Sequence, residues 1–75
     1  MYRIFIVEDD PGLAEGIAQM VRAWGMDARI AGDFRRVAQE FAEYQPHLAV
    51  LDISLPFFNG YYWCQEIRKI SKVPI

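Results

Sequence analysis

Apolar positions change their period several times along the chain, and the changes outline alternating strands and helices. Ile4-Phe5-Ile6-Val7 is an unbroken apolar run rich in β-branched residues, the pattern of a strand buried on both faces. Asp10-Pro11 then offers an N-cap followed by proline at the first helical position. Leu13, Ile17, Met20, Val21 and Trp24 recur at helical spacing, so a first helix is expected over about residues 11–24, stopped by Gly25. A weaker strand, Asp27-Ala28-Arg29-Ile30-Ala31, precedes Gly32-Asp33. Asp33 reads as the cap of a second helix with Phe34, Val37, Phe41 and Tyr44 on its apolar side, closed by Pro46. Leu48-Ala49-Val50-Leu51 forms the centre of the strongest strand, about residues 47–52, followed by the loop Ile53–Phe58. Asn59-Gly60 opens a third helix with Trp63, Cys64, Ile67 and Ile70 on one face, and Lys72-Val73-Pro74-Ile75 has the pattern of the start of a fourth strand.

Strands alternating with helices predict an α/β fold with a parallel sheet and right-handed crossovers. About three βα units are few for a sheet whose helices must cover both faces, so the chain reads as the N-terminal part of a larger domain. Seventy-five residues make one small domain, which buries only roughly 60% of the surface of its unfolded form. With 53% hydrophobic residues and no low-complexity tract, a packed piece is predicted rather than disorder. Trp24 and the aromatics of the third helix read first as core. Phe57, Phe58, Tyr61 and Tyr62 are hard to bury together, and a partner surface is the second reading for them.

The net charge of −2, with both signs interspersed, gives no basic stripe for nucleic acid and no basic helix for a membrane surface. The single cysteine, Cys64, excludes an internal disulfide and a cysteine-based zinc site, and reads as a small core hydrophobe. His47, the one histidine, has no partner at ligand spacing and reads as a surface residue at the start of the third strand. With no leader pattern and no long apolar run, a cytoplasmic protein is expected.

Both strong apolar runs end in acids: Glu8-Asp9-Asp10 after the first, Asp52 after the third. In open α/β sheets ligands bind outside the carboxyl ends of the strands, at the reversal of strand order. With a 2-1-3 order, Glu8, Asp9 and Asp52 meet in that crevice, whereas Asp10 is mainly a helix cap. Clustered carboxylates repel unless a cation compensates, and a hard divalent ion, most simply Mg²⁺, takes oxygen ligands and invites a phosphoryl group. Asp carboxylates form aspartyl phosphates, and Asp52 is the favoured nucleophile. The pattern by itself serves equally for solvated loop acids. No G-x-G-x-x-G or Walker motif follows the first strand, which argues against dinucleotide and nucleoside-triphosphate binding.

Val7-Glu8-Asp9-Asp10, Leu51-Asp52-Ile53-Ser54-Leu55-Pro56, Asn59-Gly60 and Val73-Pro74-Ile75, in that order, resemble the receiver domain of two-component response regulators. Gly60-Tyr61-Tyr62-Trp63-Cys64-Gln65-Glu66-Ile67-Arg68 is further similar to OmpR-type regulators paired with kinases that sense antimicrobial peptides. The resemblance implies a flavodoxin-like fold, here residues 1–75 of a partial receiver with no second domain among them. It makes Asp52 the phosphoryl acceptor and a histidine kinase the donor. Asp9 becomes a direct Mg²⁺ ligand, Glu8 a second acid acting largely through metal-bound water, and Ser54 a contributor of its backbone carbonyl. Pro56 and Gly60 shape the loop and start the third helix. Receivers continue through a fourth strand ending in Thr or Ser and a fifth ending in Lys, beyond Ile75. OmpR-type regulators add a C-terminal DNA-binding domain.

The expected function is phosphoacceptance in control of transcription, by a protein that assists its own phosphorylation without being a turnover enzyme. The alternative is a folding unit without signalling competence, dimerising to complete its sheet edge. A phosphatase with an Asp nucleophile of the haloacid-dehalogenase kind needs a second Asp where Ser54 stands.

Overall fold

A computed structural model describes all 75 residues. Six elements alternate along the chain: β1 (Arg3–Val7), α1 (Pro11–Ala23), β2 (Asp27–Ile30), α2 (Val37–Tyr44), β3 (Leu48–Leu51) and α3 (Gly60–Arg68). The strands pair in parallel in the order β2-β1-β3, which is the 2-1-3 order expected. Ile4 lies beside Ala28 and Leu48, and Val7 beside Leu51.

Because β1 is central, its alternating side chains fill two separate cores. Phe5 and Val7 point to one face, where Val37 and Phe41 of α2, Ala49 of β3, and Trp63 and Ile67 of α3 close over them. Ile4 and Ile6 point to the other, against Ala18 of α1 and Ala28 of β2. Phe5, Ile6 and Val7 are fully buried. Each such side chain contributes about 1.5–3 kcal/mol relative to exposure.

The helix ends follow local chemistry. Asp10 Oδ1 accepts the N–H groups of Gly12 and Leu13 at 3.0 and 3.2 Å, with Pro11 behind it. Gly25 ends the turn after α1 with φ 82°, the left-handed region that glycine enters freely. Asn59 Oδ1 accepts the Tyr62 N–H at 2.9 Å and starts α3 where expected.

Four expectations are corrected. On α1 the fully buried positions are Ala14 and Ala18, flanked by half-buried Ile17 and Val21, while Leu13, Met20 and Trp24 are exposed. Small side chains let the helix approach the sheet, and the larger residues on its shoulder stay in water. Trp24, expected in the core, is 78% exposed at the C-cap. Asp33 does not cap α2, which begins at Val37 with Arg36 as N-cap. Instead Asp33 closes a turn, its carboxylate accepting the Arg35 N–H at 2.9 Å and its carbonyl the Arg36 N–H at 3.0 Å. Side-chain bonding to the nearby backbone is the usual competitor of helix in such residues. On α3, Cys64 is only half-buried and Ile70, past the helix end, is exposed, so the core face is Gly60, Trp63 and Ile67. The segment Lys72–Ile75 runs beside β3 with a bond from Ala49 N–H to Pro74 O at 3.0 Å, and Val73 packs on the α2–α3 core. It is not assigned as a strand, and Pro74 has no N–H to return to β3.

Candidate acidic site

The parallel register carries the acids together. One step beyond the paired Val7 and Leu51 stand Glu8 and Asp52, and the Asp52 N–H still donates to Val7 O at 2.9 Å, extending the ladder to the base of the site. One carboxylate oxygen each from Glu8, Asp9 and Asp52 lies within 4.8 Å of the others. Glu8 and Asp52 are half-buried and Asp9 is exposed. Asp10, the fourth acid, is turned away into the cap of α1, as expected.

Glu8 shows the electrostatic consequence. The Asp10 N–H, donating to its Oε2 at 3.1 Å, pulls its pKa down. Burial, hydrogen bonding with Asp9 and the charge of Asp52 outweigh that pull, and the net pKa is raised above the ordinary glutamate value. The two ion pairs of the molecule, Arg22–Glu15 and Lys69–Glu66, lie elsewhere, and no lysine or arginine nitrogen is within 4.0 Å of the three acids. Three carboxylates at this spacing, uncompensated and open to solvent, are an oxygen donor set suited to a hard divalent cation that keeps several waters.

The walls come from the loops after each strand. A groove of about 240 Å³ runs from Glu8 and Asp9 under the start of α1, floored by Ala14, Ile30, Ala31 and Phe34. Asp52 stands outside it, on the side of the β3–α3 loop. Ser54 lies in that loop, exposed, two residues past Asp52. The loop is closed by the Gly60 N–H donating to Ile53 O at 2.9 Å. A Cβ at position 60 would collide with the Asp52 carbonyl oxygen and lie 3.0 Å from the Asp52 carbonyl carbon and Ile53 Cα. Gly60 therefore lets α3 start directly on the backbone that presents Asp52.

Three contributors were missed in the sequence. Glu40 of α2 reaches back and accepts the Gly32 N–H at 3.0 Å and that of Asp33, fixing the β2–α2 turn. Arg35 sits on that turn with its guanidinium carbon 4.5 Å from the Phe57 ring centroid. Phe57 itself has φ 69°. An acid one turn into a helix after Gly-Asp was a usable signal for Glu40, but nothing in the sequence marked an aromatic for the left-handed region. His47 behaves as read: it is exposed before β3, and its Nδ1 accepts the Arg3 N–H at 3.0 Å.

Residues 4–75 match the family model described as the response regulator receiver domain. The chain is 47% identical over all 75 residues to YvcP of Bacillus subtilis, described as an uncharacterized transcriptional regulatory protein, and spans 32% of that protein's length. Among solved structures, the N-terminal domain of the nisin resistance regulator NsrR superposes with a TM-score of 0.91 at 39% identity, covering all of this chain and 63% of that one. The response regulator TrrA of Thermotoga maritima, in complex with the histidine kinase ThkA, is similar with a TM-score of 0.85 at 28% identity, over 95% of this chain and 61% of the matched chain.

Proposed function

Since this chain belongs to the response regulator receiver domain family, we propose that Asp52 accepts a phosphoryl group from the phosphohistidine of a histidine kinase. The observation that carries this reading is the convergence of Glu8, Asp9 and Asp52 at the carboxyl ends of two adjacent parallel strands, with no cation of the protein to neutralise them. Asp9 and Asp52, with Glu8 through water and the Ser54 carbonyl, would hold Mg²⁺. The bound ion would supply positive charge to offset the negative charge of the phosphoryl oxygens.

The chain's own part is to hold a nucleophile in line and to exclude alternatives. An Asp52 carboxylate oxygen attacks phosphorus as the phosphorus–nitrogen bond breaks, and the electron pair of that bond returns to the kinase imidazole. The β1–β3 ladder, bonded up to Asp52 N–H, fixes the root of the attacking group. Glu8, tethered by the Asp10 N–H, keeps its carboxylate facing the site. In this reading the protein is a phosphoacceptor that assists its own phosphorylation, and the phosphoryl group rests on Asp52 as the signalling form. The kinase complex of TrrA supports a kinase partner. The name of YvcP supports transcriptional output, with DNA contacted outside residues 1–75. No helix is long and apolar enough to cross a membrane.

Incubating the intact protein with Mg²⁺ and acetyl phosphate should give an acid-stable, base-labile adduct that peptide mapping places on Asp52. Equal labelling of Asp52→Asn would sink the assignment.

A further inference from the structure

The β3–α3 loop carries a backbone feature that the phosphoacceptor chemistry does not itself require. Phe58 N–H donates to Pro56 O at 2.8 Å, a bond spanning two residues with Phe57 between them at φ 69°. A γ-turn with its central residue at positive φ is the rare, strained form, and an aromatic there has none of the tolerance of Gly or Asn. Such a conformation persists only when the surroundings over-determine it.

Two contacts do so, one on each side of the turn. Phe58 stacks on Tyr62 with centroids 4.4 Å apart and meets Trp63 edge-on at 5.7 Å, which ties the far side of the turn to α3. The near side is held from another loop altogether: Arg35 places its guanidinium over the Phe57 ring. The backbone that carries Arg35 is fixed, since Asp33 accepts its N–H and Glu40 of α2 accepts the Gly32 and Asp33 N–H groups. The strap therefore runs from α2, through the β2–α2 turn, onto the loop that begins at Asp52 and contains Ser54.

We propose that Arg35 and Phe57 are positioning residues for the acidic site: their cation–π contact holds the β3–α3 loop in its strained turn and thereby sets the Ser54 carbonyl and Asp52 relative to Glu8 and Asp9. This deepens the phosphoacceptor reading and rests on it. Neither side chain touches the reacting groups.

Hydrogen exchange and Mg²⁺ titration of the intact protein test it together. In Arg35→Ala the Phe58 and Gly60 amides should exchange about two- to fivefold faster, the factor expected from losing an exposed cation–π contact. Mg²⁺ affinity should weaken by a similar factor. Phe57→Gly, placed on top of Arg35→Ala, makes φ 69° a relaxed conformation, so the double variant should recover Mg²⁺ affinity and the rate of labelling by acetyl phosphate. A contact without a positioning role predicts no such recovery, and a double variant as impaired as Arg35→Ala overturns the proposal. Unchanged amide exchange in Arg35→Ala also overturns it, and does so whether or not Asp52 is the acceptor. Labelling that persists in Asp52→Asn removes the phosphoacceptor reading on separate grounds.

Discussion

A methyl group at position 60 would be driven into the Asp52 carbonyl, because the Gly60 N–H draws the first turn of α3 onto the end of β3. The obstacle is backbone and not the end of a flexible side chain, so relief requires the helix start or the strand end to move. Gly60→Ala should therefore cost about 1–3 kcal/mol, the range for overpacking a fitted site, and should slow labelling of Asp52 by displacing its backbone. Gly16, within α1, is the contrast. A Cβ there meets nothing within 4 Å, and an exposed helical Gly→Ala change is favourable by roughly 0.5–1 kcal/mol. Urea unfolding should move the two midpoints in opposite directions, and a neutral Gly60→Ala would contradict the close packing of α3 on Asp52.

At the level of elements, the order of strands and helices was legible because each carries its own period, cap or breaker: Asp10-Pro11, Gly25 and Asn59-Gly60 act within a few residues of themselves. The buried face of α1 was not, since the alternatives Ala14/Ala18 and Leu13/Met20/Trp24 differ by a small rotation that only the height of the sheet beneath decides. The start of α2 was misread for a similar reason, as Asp33 had two uses for its carboxylate and the distant Glu40 settled which. The site acids were legible because they follow directly from the strands; the loop holding them, with its Arg35–Phe57 contact, depends on two segments distant in sequence. Tyr44 ties α2 to β2 in the same non-local way. Its hydroxyl donates to Asp27 Oδ2, and Arg29 lies 5.0 Å over its ring. Burial pushes the Tyr44 pKa up to about 12, with the Asp27 hydrogen bond and charge adding to it. The folded state thus holds this proton more tightly than the unfolded chain, whose tyrosine titrates near 10. The contribution is complete below pH 10 and is lost as pH rises through about 12. Tyr44→Phe should lose about 1 kcal/mol at pH 7 and then unfold less steeply than wild type between pH 10 and 12. Parallel alkaline unfolding curves would show that Tyr44 is not the responsible group.

For the molecule as a whole, three like charges sit at the meeting point of β1, β3 and both flanking loops, in a chain with two small cores and little stability to spare. Their mutual repulsion acts in the folded state far more than in the unfolded chain, where Asp52 is remote from Glu8 and Asp9. It therefore opposes folding, and the arrangement proposed to receive a cation and a phosphoryl group weakens the protein that carries it. A cation that binds only the folded state reverses this by mass action, adding about 2.7 kcal/mol at a concentration a hundredfold above its dissociation constant. Millimolar Mg²⁺ should raise the melting temperature by several degrees over NaCl of matched ionic strength, which screens the charges without filling the site. Asp52→Asn removes one of the three charges while keeping the volume of the side chain. Its melting temperature without Mg²⁺ should equal or exceed that of wild type, and its rise on adding Mg²⁺ should be much smaller. Equal Mg²⁺ increments in the two proteins would mean that the ion acts elsewhere on the surface, and that the cost of bringing the acids together is met by something other than a bound metal.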